Sequence, residues 1–336
     1  MLREPATPYT SCKGGSEMAL FILRRLSLMV IVLFLVSVIV FGLVNILPGD
    51  PATLILGIEA TPETLSTLRE QMGLNDPLYI RYLDWAGGVV QGDLGYSIQD
   101  HSPVMEILLN KIPVTLELTV MSFLIAMLIA LPAGIVSAIR KGSALDYTGT
   151  ILALTGVSIP SFWLGILLIY VFAITLGWFP PSGYVPLGEN LLKSVMLMLL
   201  PAITLGTRMS AEMMRIIRSS LLEVLESDFI RTGYAKGLLE RSVVFSHALK
   251  NALIPVLTVS GLQLTTLFGG TVIVETIFAV PGLGRLILDS ILTRDYPVIQ
   301  GVVLFMAFSV VIVNFLIDIL YSILDPRIKL TGGSKE

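Results

Sequence analysis

Leu26-Ser-Leu-Met-Val-Ile-Val-Leu-Phe-Leu-Val-Ser-Val-Ile-Val-Phe-Gly-Leu-Val-Asn-Ile-Leu47 runs for 22 residues without a charged side chain. At about 1.5 Å per residue, a helix of this length crosses the roughly 30 Å hydrocarbon core of a bilayer. From Leu28 to Leu47 it carries 16 Val, Ile, Leu or Phe residues. At about −0.3 to −0.6 kcal/mol each, they favour insertion by roughly 5–9 kcal/mol. The run is longer than the 7–15-residue apolar stretch of a secretory signal, so it reads as a retained anchor helix over 24–47. Before it, residues 1–18 are polar and hold Pro5, Pro8, Gly14 and Gly15, the composition of a disordered tail. The whole of 1–23 reads as a cytoplasmic tail.

The rest of the chain repeats the pattern. Of its 336 residues 54% are hydrophobic and 14% charged, against roughly 25% charged in an average soluble domain. Mean hydropathy is +0.84. Lipid can solvate such a surface and water cannot, which fixes the class as an all-α polytopic membrane protein. Further spans are predicted at about 116–139, 149–178 (interrupted by Pro160), 191–211, 252–275 and 298–323, making six.

Lysine and arginine placement orients them. Arg24 and Arg25 precede the first span, Arg140 and Lys141 follow the second, and Arg327 and Lys329 follow the sixth. Arg215, Arg218, Arg231, Lys236, Arg241 and Lys250 fall between the fourth and fifth. With six spans all four groups share one side, the cytoplasm, giving N-in and C-in. The opposite region, 48–115, has three basic residues against nine acidic ones. It is too long for a simple connector. Within it Thr61 to Met72 reads as a short helix, with Thr61 capping, Pro62 at the first position and Glu63 in the first turn. A five-helix core over 116–325, with an inner loop at 212–251, and a short cytoplasmic tail at 326–336 complete the organisation.

Several function classes drop out. A net charge of −3 offers no basic surface for nucleic acid, and Cys12 alone makes no internal disulfide. His101 and His247 lie far apart, and no metal-ligand spacing is present. No Gly-Lys dipeptide occurs, so there is no Walker A loop and no expected cofactor. Any ATP must be bound by another chain. Ion-coupled carriers usually place ionisable groups within their spans. Here Glu117, Glu275 and Asp318 sit near span ends, where an interfacial position or a helix–helix hydrogen bond competes with a proton relay. Gln263 and Asn314 are the candidate residues of a translocation pathway; interhelical hydrogen bonding is the plainer reading. Pro132, Pro160, Pro201 and Pro255 favour bends.

The inner loop carries the most information. It reads Glu226-Ser-Asp228-Phe-Ile-Arg231-Thr-Gly-Tyr-Ala235-Lys236-Gly237-Leu-Leu-Glu240 and continues to His247-Ala-Leu-Lys-Asn251-Ala-Leu-Ile-Pro255. Phe229 to Lys236 makes about two helical turns, Gly237 is a left-handed cap, and a return helix from Glu240 leads into span five. Such a knob either docks in a groove of another protein or is a solvated connector.

The string Asp228-x-x-Arg231-Thr232-x-x-Ala235-Lys236-Gly237-Leu238 resembles the cytoplasmic coupling loop of ABC-importer permeases of the dipeptide/oligopeptide/nickel subfamily, with Gly233-Tyr234 a departure from its small or basic residues. Further pieces agree in order: Leu47-Pro-Gly-Asp-Pro51, Gly92-Asp-Leu-Gly95 with Ser97, Glu275-Thr-Ile-Phe278, Pro281-Gly-Leu-Gly284, Arg294-Asp-Tyr-Pro297 with Gly301, and Asp325-Pro-Arg-Ile328. The resemblance implies a type I ABC importer permease fold in a bacterial or archaeal inner membrane. It implies a non-catalytic subunit paired with a second homologous permease, two ABC ATPase subunits that bind ATP and Mg, and an extracytoplasmic substrate-binding protein. Short peptides are the expected substrate; nickel chelates, glutathione or another small solute are the alternatives within the family. By the same resemblance, Asp228 through Leu238 engage the ATPase. The broader permease motif has Glu-Ala-Ala where this chain has Arg231-Thr232-Gly233, and Gly233 weakens a helix by about 1 kcal/mol relative to alanine. The acidic outer loop either docks the binding protein or is a solvated cap. A self-sufficient secondary transporter or channel is the competing class, opposed by the lack of midplane charge and of an inverted repeat.

Overall fold

The computed structural model describes residues 14–46, 51–57 and 61–324. Residues 1–13 of the predicted tail, the Leu47–Asp50 part of one motif, Asp325-Pro-Arg-Ile328 and the tail at 326–336 lie outside the described residues. From Gly14 the chain is already helical, which shortens the expected disordered tail.

The described residues are helical almost throughout. α1 is Gly14–Ile46, followed by short outer helices α2 (Pro51–Leu56), α3 (Pro62–Gln71) and α4 (Leu78–Gln91). Thr61 caps α3 through a reciprocal hydroxyl–amide arrangement with Thr64. α4 lies against α1 through an aromatic cluster of Phe34, Phe41, Tyr82 and Trp85. α5 (Val104–Ile139) starts twelve residues before the predicted second span.

The third span is a broken one. α6 (Ala144–Ser158) and α7 (Ser161–Leu168, continued as a π-helical turn Ile169–Thr175) meet at 102°. The break falls at Pro160, which lacks an amide hydrogen and pushes Ile159 to an extended conformation. α8 (Leu191–Leu225) outruns its predicted end at 211, so the first part of the supposed inner loop extends the spanning helix. Then come α9 (Asp228–Ala235) and α10 (Glu240–Ser242), followed by a π-helical turn Val243–Ala248 and α11 (Leu249–Gly270). α12 (Val272–Ile277), α13 (Leu283–Thr293) and α14 (Tyr296–Leu324) complete the chain as described.

Among the described residues five helices are long and apolar enough to cross a bilayer, and the bent pair makes up to six. The contacts decide the count. Glu117 accepts from Ser194 at 2.6 Å, a β-carbon at Gly206 meets the Ser122 carbonyl, Gly134 faces Met214 and Ile217, and Lys141 pairs with Glu226. Residue numbers rise together along α5 and α8, so the two helices run parallel. The segment between them must therefore return from the inner end to the outer end, and α6–α7 makes a net crossing despite its bend. Gly134 and Gly206 are what allow α5 and α8 to approach so closely: a β-carbon at either would stand 2.8–3.0 Å from the facing helix. α11 runs antiparallel to α8, with Ser220 donating to the Ala252 carbonyl and Gln263 to Glu212. Arg25 pairs with Asp318 at 2.9 Å, joining the start of α1 to the end of α14.

The core sits between α5, α8 and α11, with Leu118, Met198, Met213 and Ile217 fully enclosed. Each span-end carboxylate has a partner. Glu117 also accepts from the Tyr184 hydroxyl at 3.2 Å. Burial, then the neighbouring Glu117 charge, push that phenol up to about 12, so it stays a donor. Glu275 is enclosed, accepting from the Thr115 hydroxyl at 3.0 Å and the Arg285 amide at 2.8 Å. These are helix–helix hydrogen bonds and an ion pair rather than a chain of groups leading across the span.

Candidate coupling site

α8 and α11 carry the knob at the inner ends of the spans, where the end of α5 is level with them and Lys141 pairs with Glu226. The Ser227 hydroxyl turns back to the Val224 carbonyl at 2.5 Å, so α8 ends and α9 begins within two residues. At the far end of α9 the Gly237 amide donates to the Tyr234 carbonyl at 2.9 Å and the Leu238 amide to the Gly233 carbonyl at 3.3 Å. Gly237 has φ +78°, the left-handed conformation that such a cap requires. The reading of helix, glycine turn and return helix therefore matches the geometry, shifted by one residue.

One side chain seats α9. Ile230 is buried against Ala138 of α5, Leu221 of α8, Val243 and Ala248 of the π-turn, and Ala252 of α11. The eight residues singled out from the sequence, Asp228, Arg231, Thr232, Tyr234, Ala235, Lys236, Gly237 and Leu238, are all exposed. Phe229 and Leu239 join them. The knob thus presents aromatic and aliphatic side chains beside an Asp228–Arg231 pair at 3.4 Å, which is fully solvated and adds little stability. Gly233 is half-buried, and a methyl there would make ordinary contact with Leu238 and Val243, so packing does not require glycine.

A second cluster braces the platform. Asp146, at the start of α6, accepts two hydrogen bonds from the Arg218 guanidinium of α8 at 2.6 and 2.8 Å. It also accepts from Ser137 of α5 at 2.5 Å and from the Gly142 amide at 3.0 Å. Sequence reading counted Arg218 only as an orienting charge and passed over Asp146 and Ile230. Apolar spacing within the motif was the signal for Ile230; no local signal tied Asp146 to a residue 72 positions away.

Of the two pathway candidates, Gln263 donates to Glu212 of α8, while Asn314 is exposed on α14 and does not meet it. Arg208 and Glu212, which sequence reading did not single out, stand one turn apart at 3.7 Å. On the outer side a cavity of about 780 Å³ opens among Phe41, Arg69, Trp85, Tyr96, His101 and Gln300.

Comparison with known proteins settles the family. A family model described as the binding-protein-dependent transport system inner membrane component matches residues 130–330, and the model of its N-terminal region matches 18–119. The chain belongs to this family. A putative peptide transport system permease protein of Brucella abortus (strain 2308) is 43% identical over 312 residues, 93% of this chain and 99% of that one. The oligopeptide transport system permease protein AppB of Bacillus subtilis is 42% identical over 315 residues, 93% of this chain and all of that one. The dipeptide transport system permease protein DppB of Alkalihalophilus pseudofirmus is 41% identical over 332 residues, 93% of this chain and all of that one. Among solved structures, an inward-facing MetNI methionine ABC transporter aligns with a TM-score of 0.55 at 21% identity, covering 66% of this chain and 97% of that one. That likeness places the fold among ABC importer permeases. The chain is accordingly a multi-pass ABC-importer permease subunit.

Proposed function

We propose that this permease forms half of the translocation pathway for short peptides in an inner membrane, and that α9 is the element on which an ATPase subunit acts. A second permease, two ATP- and Mg-binding ATPase subunits and an extracytoplasmic binding protein complete the assembly. The outward display of the motif residues around a single buried anchor supports the α9 reading. The peptide permeases more than 40% identical over nearly the whole chain support the substrate class. Closure of the ATPases would move α9, and the braced ends of α5, α6, α8 and α11 would carry that motion into the spans as a rigid body.

Capture of the tagged chain from its native membrane in mild detergent, followed by mass spectrometry, tests the assembly. A second permease and P-loop ATPases are expected; a chain that comes down alone and moves solute without ATP would overturn it. Gly237→Asp tests the site. Open space surrounds the position, so strain is limited to the left-handed backbone, about 1–2 kcal/mol. The variant is expected to insert normally and lose ATP-driven uptake, measured as labelled peptide accumulated in proteoliposomes.

A further inference from the structure

α8 carries Arg208, Glu212, Arg215 and Ser219 at spacings of four, three and four, which align them on one helix face. Gly206, two residues before Arg208, packs on Ser122 and Ile125 of α5, near the middle of the predicted 116–139 span and so within the roughly 30 Å core. The Arg208 side chain is 65% exposed, and that of Glu212 27%. Lipid cannot solvate a charged side chain at this depth. The α5 face at the same level is apolar, with Leu124 and Leu128 exposed. α8 is therefore turned toward water or a polar partner, and α5 toward lipid or an apolar one.

The charges on the stripe are unequal. Glu212 is engaged twice, by the Gln263 amide and by Arg208 at 3.7 Å. That single loose contact leaves the Arg208 guanidinium most of its donors, and Arg215 adds a second exposed guanidinium about two turns further in. Gln263 and Thr266 of α11 flank the stripe, with Thr266 level with Arg208 because α8 and α11 are antiparallel. The geometry points to an electropositive stretch of the translocation pathway in which Arg208 receives an anionic group of the substrate, a carboxylate in the case of a peptide. This inference rests on the proposed role as half of a pathway. It gives the inner part of that pathway a charge preference, with Arg208 the specificity-determining residue and Glu212 and Gln263 positioning it.

The test uses the assembled complex in nanodiscs with Cys12→Ser, which removes the native thiol. Thr266→Cys and, at the same depth, Leu128→Cys are labelled with an anionic sulfonatoethyl and a cationic trimethylammonioethyl methanethiosulfonate. Rates are normalised to those of a free thiol. Thr266→Cys is expected to react with the anionic reagent about threefold or more in preference, Arg208→Gln to erase the preference, and Arg208→Lys to retain it. Leu128→Cys is expected to react with neither reagent. A Thr266→Cys thiol inert to both reagents, or a preference unaltered by Arg208→Gln, would overturn the proposal. ATP-driven uptake by the same complex reconstituted in proteoliposomes separates the two levels: loss of uptake indicts the pathway reading, and retained uptake with an inert thiol indicts the stripe alone.

Discussion

Ile230→Ala is expected to lower ATP-driven peptide uptake tenfold or more while leaving the quantity of inserted chain nearly unchanged. Ile230 is the one buried residue of α9, and its side chain belongs to an apolar cluster with residues of α5, α8, α11 and the π-turn Val243–Ala248. Truncating a buried isoleucine costs about 2–5 kcal/mol in lost burial and residual cavity. Each 1.4 kcal/mol is about a factor of ten in an equilibrium, so the seated knob becomes a minor state. The transmembrane core between α5 and α8 does not contain Ile230 and keeps its packing. ATPase activity in the assembled complex should persist while uptake falls, because the motor still turns over without a firm lever. Ile230→Val removes one methylene, costs about 0.5–1.5 kcal/mol, and should transport at near-native rates. Native uptake by the alanine variant would show that the seat is not needed for force transmission.

The sequence makes the large-scale architecture readable because membrane insertion is set locally. Leu26 to Leu47 needs no tertiary partner to declare itself, and neither do the proline break at 160 or the glycine turn at 237. The helix and glycine turn between Asp228 and Leu238 were legible for the same reason, since both lie within a dozen residues. What escaped is non-local. The helix that carries span four continues for fourteen residues past the span's predicted end at 211. Its continuation depends on α11 and the α5–α6 turn packing against it. The 102° bend follows from Pro160 in kind but not in size. The pairing of Arg208 with Glu212, and of Glu212 with Gln263, requires the antiparallel contact of α8 and α11, which no spacing in the chain announces.

The same non-local logic governs Arg218 and Asp146, and Arg218→Met is expected to lower the melting temperature of the solubilised complex by several degrees and to impair uptake. The substitution leaves the Asp146 carboxylate enclosed, with its side chain 5% exposed and only Ser137 and Gly142 to satisfy it. Removing one partner of a buried ion pair costs about 3–5 kcal/mol, chiefly through the stranded charge. Asp146→Asn should be milder. Arg218 is 29% exposed and can turn toward water, and the asparagine oxygen still accepts one of its bonds. The double variant Asp146→Asn with Arg218→Met carries no stranded charge and should recover much of the lost stability, a positive coupling in a double-mutant cycle. Uptake is a separate readout. The pair ties the turn between α5 and α6 to α8 two turns above α9, so a neutral replacement that restores stability but not transport would assign the pair to force transmission. Recovery of both would make it a stability element, and additive losses with no recovery would mean that the two side chains act independently despite their bidentate contact.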